Sequence, residues 1–113
     1  MSFVYHEPAS YAFQDRDGHS GKMLATSAQK DHLIIECDEK LMVTLRQNES
    51  EFSYYILGGS GYFVVEGAKE TVATGDLVVV PAGKAYMFGG KLRMLLIVAP
   101  HWSKEQEEKV YES

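Results

Sequence analysis

Residues 75–86 constrain this chain more than any other stretch. They read Gly75-Asp76-Leu77-Val78-Val79-Val80-Pro81-Ala82-Gly83-Lys84-Ala85-Tyr86. Leu77 to Val80 is apolar and almost purely β-branched, which predicts a short strand buried on both faces. Pro81 cannot donate to a sheet's ladder of hydrogen bonds, so the strand stops there. Gly83 accepts the backbone angles of a tight turn. The spacing therefore predicts a buried strand, a sharp turn, and a second strand opening near Tyr86.

From Asp31 onward the same alternation of short strands and turn signals recurs. Candidate strands run over 32–37, 40–46, 52–57, 62–66, 70–73, 77–80, 84–88 and 92–99. They are separated by Asp38-Glu39, by Asn48-Glu49-Ser50, by Gly58-Gly59-Ser60-Gly61, by Gly67 and by Gly89-Gly90. About eight strands at this spacing predict an all-β sandwich or barrel. No helical period separates them, so a βαβ arrangement is not expected. Residues 1–31 are less regular and read as an N-terminal arm with a turn at Asp17-Gly18, on which Tyr5, Tyr11 and Phe13 can pack against the domain. Ser103 and Gln106 have capping-box spacing, which predicts a short C-terminal helix over 103–112, docked through Trp102, Val110 or Tyr111. The whole of 1–113 reads as one domain, with the barrel over 32–100.

The net charge is -5, and the 11 Lys and Arg are scattered among acids. That argues against nucleic acid or an anionic membrane as partner, since both need clustered cations. No apolar run reaches the ~18 residues of a membrane span, and no secretory leader is recognisable. The single cysteine, Cys37, offers no internal disulfide and suits a reducing compartment, so a cytoplasmic protein is expected. Leu77 to Val80 and Leu92 to Ala99 are apolar on both faces, and something must cover the second face. The arm is one candidate, and a second copy of the chain, giving a homodimer, is the other.

Residues from about 40 to 100 resemble a small single-domain cupin, a double-stranded β-helix of jelly-roll type. Gly75, Pro81 and Gly83 match the family's second motif, and Glu51 followed after six residues by Gly58 matches the end of its first. The resemblance implies a barrel that holds a small molecule or a metal. It also implies where the metal ligands of a typical member would stand. Two histidines are expected three or four residues before Glu51, where this chain has Leu45 and Gln47, or Thr44 and Arg46. The fourth ligand position holds Tyr86. Only Glu51 remains of the four, and a lone carboxylate does not make a transition-metal site. No metal or other cofactor is expected, unless a rearranged site draws on His32 or His101.

Strand alternation nominates the ligand-binding side chains. In 41–47 one face is Leu41, Val43, Leu45 and Gln47, and the other is Met42, Thr44 and Arg46. The first is more apolar and is expected inside, with Gln47 near the mouth. Which face lines the barrel stays open, so Arg46 is kept beside Gln47. Continuing the alternation from Glu51 adds Ser53 and Tyr55, and Tyr86 points inward if it takes the place of the family's His. Arg46, Gln47, Glu51, Tyr55 and Tyr86 are therefore the candidate ligand-binding residues. The functional expectation is a small-molecule-binding cupin in an accessory or sensing role. The alternatives are a metal-independent isomerase, epimerase or lyase using Glu51 and Tyr86, a metalloenzyme with atypical ligands, and a filled structural barrel.

Overall fold

The computed structural model describes residues 3–110. Nine strands follow in order: β1 Phe13–Arg16, β2 His19–Thr26, β3 Asp31–Cys37, β4 Thr44–Gln47, β5 Glu51–Val65, β6 Ala68–Ala73, β7 Leu77–Val80, β8 Ala85–Ala99 and β9 Glu107–Val110. All pairings are antiparallel, and they join one curled sheet. None of the described helical residues makes a segment long and apolar enough to cross a membrane.

The spine is the pair β5 and β8, in register from Glu51 opposite Ala99 to Val65 opposite Tyr86. Each is 15 residues long, where the glycine clusters predict a turn in the middle. The glycines serve a different purpose. Gly61 lies opposite Gly90, and a Cβ on Gly61 would meet the Gly89 carbonyl. The clusters let two backbones cross closely where side chains would keep them apart. A register shift between Ile56 and Gly58 also exchanges the inward face of β5, from Phe52, Tyr54 and Ile56 to Phe63. The inward residues join Ile35, Leu41, Phe88, Met94 and Leu96 in the core.

β8 pairs on its other side with β3 and with β4, and β4 carries β9 on its outer edge. The N-terminal region is more regular than expected. The Asp17-Gly18 turn closes a hairpin, β1 and β2, that extends the sheet beyond β3. Ahead of it, Glu7 pairs with Lys22 and Arg93, and the Tyr11 hydroxyl donates to Glu36 at 2.7 Å. This segment lies over the outer face of β2, β3 and β8.

The expected C-terminal helix is replaced by one 3-10 turn, Lys104–Gln106, and strand β9. Ser103 makes no side-chain cap. Gln106 is buried, and its Oε1 accepts from the Glu49 and Ser50 amides at 2.9 and 2.8 Å. Its Nε2 donates to the Ser50 hydroxyl at 2.9 Å. Tertiary hydrogen bonds thus take the side chain that a capping box would use, and the edge of β4 takes the backbone that follows. Residues 111–113, including Tyr111, lie outside the described residues.

Candidate ligand cavity

The open end of the curled sheet encloses a cavity of about 220 Å³. Its floor and walls are apolar: Leu33, Ile35, Leu45, Phe52, Leu96 and Val98. Into it project Gln47 from β4, Tyr54 from β5, Tyr86 from β8, His19 from β2 and Glu107 from β9, with Trp102 at the side. The hairpin turn supplies Arg16 and Asp17. A larger open groove of about 710 Å³ lies outside the barrel, along Asp38, Glu39 and Arg93. There Arg93 is already paired with Glu7 and Glu36, so the groove is a solvated charged surface.

The centre of the cavity is a pair of phenols. The Tyr54 and Tyr86 hydroxyls are 3.0 Å apart, and both rings are buried. Burial pushes the Tyr54 pKa well up, and the neighbouring Tyr86 pushes it further. Burial also raises Tyr86, with only partial relief from its bonds to Tyr54 and Gln47. Both are neutral phenols at any ordinary pH. Their mutual bond uses one phenolic proton, which leaves the other for a further acceptor.

A polar chain fixes the surroundings of the pair. Gln47 Nε2 donates to Glu107 Oε1 at 2.9 Å, and Gln47 Oε1 accepts from the Trp102 indole at 3.1 Å. Trp102 is held from behind by Asp31, which is almost fully buried. The Asp31 carboxylate accepts from the Trp102 amide at 2.9 Å, from Thr26 at 2.6 Å and from His101 Nδ1 at 2.7 Å. Burial works to raise the Asp31 pKa, but the bonds from Thr26, Trp102 and His101 outweigh it, and the net shift is downward. Among the described residues no buried side-chain nitrogen or oxygen lacks a partner.

Of the residues nominated from sequence, Gln47 and Tyr86 line this cavity together. Arg46 faces out and pairs with Glu108 at 3.0 Å. Glu51 is exposed at the start of β5, and Tyr55 is 42% exposed on its outer face. The alternation in 41–47 places Leu41, Leu45 and Gln47 inside, but it does not carry through 48–50. The Asn48–Ser50 connection resets the parity, so Phe52 and Tyr54 face inward in place of Glu51 and Tyr55. His19, Tyr54 and Glu107 are not among the residues nominated from sequence, and Trp102 enters there only as a docking residue. Parity restarted at Phe52 would have found Tyr54, and the hairpin turn before His19 was the available sign of a strand there.

No protein-family model matches the chain, and no curated protein matches it in sequence. Solved structures do. Pac13 of Streptomyces, a nucleoside dehydratase, superimposes with a TM-score of 0.89 at 18% identity, over 97% of this chain and 92% of that one. Pac13 variants with a His→Gln or a Tyr→Phe substitution have been solved with uridine. KdgF from Halomonas matches at 0.71 and 16% identity, over 85% of this chain and 89% of that one. The cupin domain of Schizosaccharomyces pombe Cnp3 matches at 0.68 and 16% identity, over 81% and 69%. The chain has the cupin fold. At these identities the likeness is one of architecture, and the chemistry must be read from this chain's own side chains.

Those side chains do not fit a resident transition metal. Leu45, Gln47 and Tyr86 stand in the barrel, and Leu45 has no donor atom. His32 lies on the outward row of β3, and His101 is bonded to Asp31. Among the described residues no three His, Cys, Asp or Glu side chains converge as a metal site would require.

Proposed function

We propose that this chain binds a small, partly apolar, nucleoside-like molecule in its inner cavity and acts on it as a metal-independent lyase of the dehydratase kind. The observation that carries the reading is the Tyr54–Tyr86 hydroxyl pair, 3.0 Å apart in a cavity with apolar walls. Apolar walls with a few convergent polar groups are the usual makings of a small-molecule site. At about 220 Å³ the cavity is smaller than the ~300–1,000 Å³ of drug-sized ligands, which favours a compact one. The two neutral phenols bond to each other and keep one proton free, so the pair offers a ligand one hydrogen-bond donor backed by a second phenol. Such a donor stabilises an oxygen on which charge gathers as a C–O bond breaks. The likeness of the whole barrel to Pac13, a nucleoside dehydratase, supports the same class.

Glu51 has no part in this mechanism, because it lies outside the cavity. Tyr86 keeps the role of donor, with Tyr54 as its partner and Gln47 and Glu107 setting the polar rim. The reading calls for no cofactor. A cytoplasmic setting accords with the lone Cys37, a buried thiol whose pKa burial pushes up to about 11. A homodimer is part of the proposal. Tyr55, Leu57, Leu77 and Val79 form an exposed apolar patch on the outer faces of β5 and β7, which a second copy would cover.

Titration of the purified protein with uridine, followed by mass spectrometry of a panel of oxidised and unoxidised nucleosides for loss of water, tests the function. Binding with water loss supports the lyase. Binding without turnover leaves a carrier or sensor. Light scattering at micromolar concentration tests the dimer, and a monomeric mass removes it.

A further inference from the structure

We infer that His19 is the proton acceptor of this cavity, with Nε2 taking a proton from the bound molecule; the inference rests on the lyase reading of the site. Four features of the structure lead there.

Position comes first. His19 opens β2 opposite Cys37, and the residues that follow on its face lie opposite Ile35 and Leu33. All three partners are buried in the core, so His19 faces inward with them. Among the described residues it is the one His that lines the cavity, and it also borders the outer groove.

The tautomer comes second. Nδ1 sits 2.6 Å from the Arg16 carbonyl oxygen. A carbonyl only accepts, so Nδ1 carries the proton and donates. In the neutral ring Nε2 is then left as a lone-pair acceptor. Nε2 has no protein partner, and no buried side-chain nitrogen among the described residues is unpartnered. Nε2 is therefore open to the space beside it.

Rigidity is the third feature. Phe13 packs edge-on against the imidazole at 4.9 Å between centroids and Phe88 at 6.0 Å. With the carbonyl bond, these contacts leave the ring little freedom to turn.

The fourth is the charge state. Burial lowers the His19 pKa, against the Arg16 carbonyl bond and the Glu107 charge, which both raise it. The charged groups that face it are Arg16 and Asp17 from the hairpin and Glu107 from β9, with the neutral Cys37 opposite on β3. The ring is a neutral base at physiological pH. Neither Tyr54 nor Tyr86 can serve in that role, since both hold their protons. Glu107 is engaged in holding Gln47.

The step balances on the side chains present. Nε2 takes a proton from a carbon of the substrate. The C–H electron pair becomes the new C=C bond as the neighbouring C–O bond breaks. The imidazolium proton passes to the departing oxygen, which leaves as water, and the imidazole is restored. The phenol pair donates to that oxygen while its bond lengthens.

The test is nitrogen-resolved NMR of the histidines in the wild-type protein, with uridine as probe, joined to uridine affinity against pH. The expected result is an Nδ1–H tautomer for His19 and a shift of its Nε2 signal on uridine addition, while His6, His32 and His101 stay put. Affinity should fall severalfold as pH drops below the ordinary histidine value of 6.5 and through the lowered pKa of His19, because a protonated ring can no longer accept. In His19→Gln, which keeps an acceptor but does not titrate, that pH dependence should vanish. Uridine binding with no change at His19, or with pH dependence intact in the variant, overturns the role of His19 and leaves the cavity reading standing. No uridine binding at all overturns the nucleoside reading and the inference with it.

Discussion

Tyr54 and Tyr55 are neighbours in one strand, and they live in different worlds. Tyr54 is 2% exposed, bonded to Tyr86, and surrounded by the rings of Phe52, Phe63 and Phe88. Tyr55 is 42% exposed and pairs across the sheet with Leu77, itself exposed. The two residues have the same chemistry in the chain. The face of β5 decides that one is a buried proton donor and the other a piece of surface. In this barrel the inner face gathers the buried hydroxyl pair, and the outer face of the same strand is exposed.

That contrast can be broken in several ways. The largest difference should come from truncation. Tyr54→Ala opens a cavity among packed rings and is expected to cost about 3–5 kcal/mol of unfolding free energy in urea titration. Tyr55→Ala should cost under ~1 kcal/mol. Equal losses would mean that the outer face is covered, for instance by a second copy. Next comes the strap that closes the barrel. Gln106→Ala strands the Glu49 and Ser50 amides and should cost about 2 kcal/mol, read as a lowered Tm.

Acid should reach the wall behind Trp102 by a route of its own. The folded-state pKa of Asp31 lies below its ordinary value of 3.8. A depressed carboxylate contributes stability that is present above the unfolded value and is lost as pH falls through the folded one. Wild type should therefore lose stability below about pH 3.8 by a component that Asp31→Asn lacks, measured as urea midpoints across pH. The smallest effect belongs to the surface. Arg46→Gln removes an exposed ion pair with Glu108 and should change stability by less than ~1 kcal/mol and uridine affinity not at all.

The overall architecture was legible because it rests on local rules. Turn residues at short intervals and the run from Gly75 to Tyr86 announce a barrel, and Tyr86 does face inward. The parts that were not legible depend on contacts distant in sequence. Gly58 to Gly61 and Gly89-Gly90 have the composition of turns, and only their juxtaposition shows that they are a crossing point of two long strands. Ser103 and Gln106 satisfy a helix rule, but the amides of Glu49 and Ser50 claim the glutamine. A three-residue connection before β5 moves every candidate on it to the other face. One motif carries Tyr86 to the inner face, while the motif that nominates Glu51, and the alternation continued from it to Tyr55, fall on the outer face of β5.

The most direct test of the account is calorimetric titration of uridine into wild type, Tyr86→Phe and Tyr55→Phe. Tyr86→Phe removes one hydroxyl from the inner pair and keeps the ring, so the protein should stay folded and bind uridine about fivefold or more weakly. Tyr55→Phe should bind as wild type does. Unchanged binding in Tyr86→Phe together with loss in Tyr55→Phe would place the site on the outer face and contradict the assignment of chemistry to the inner one.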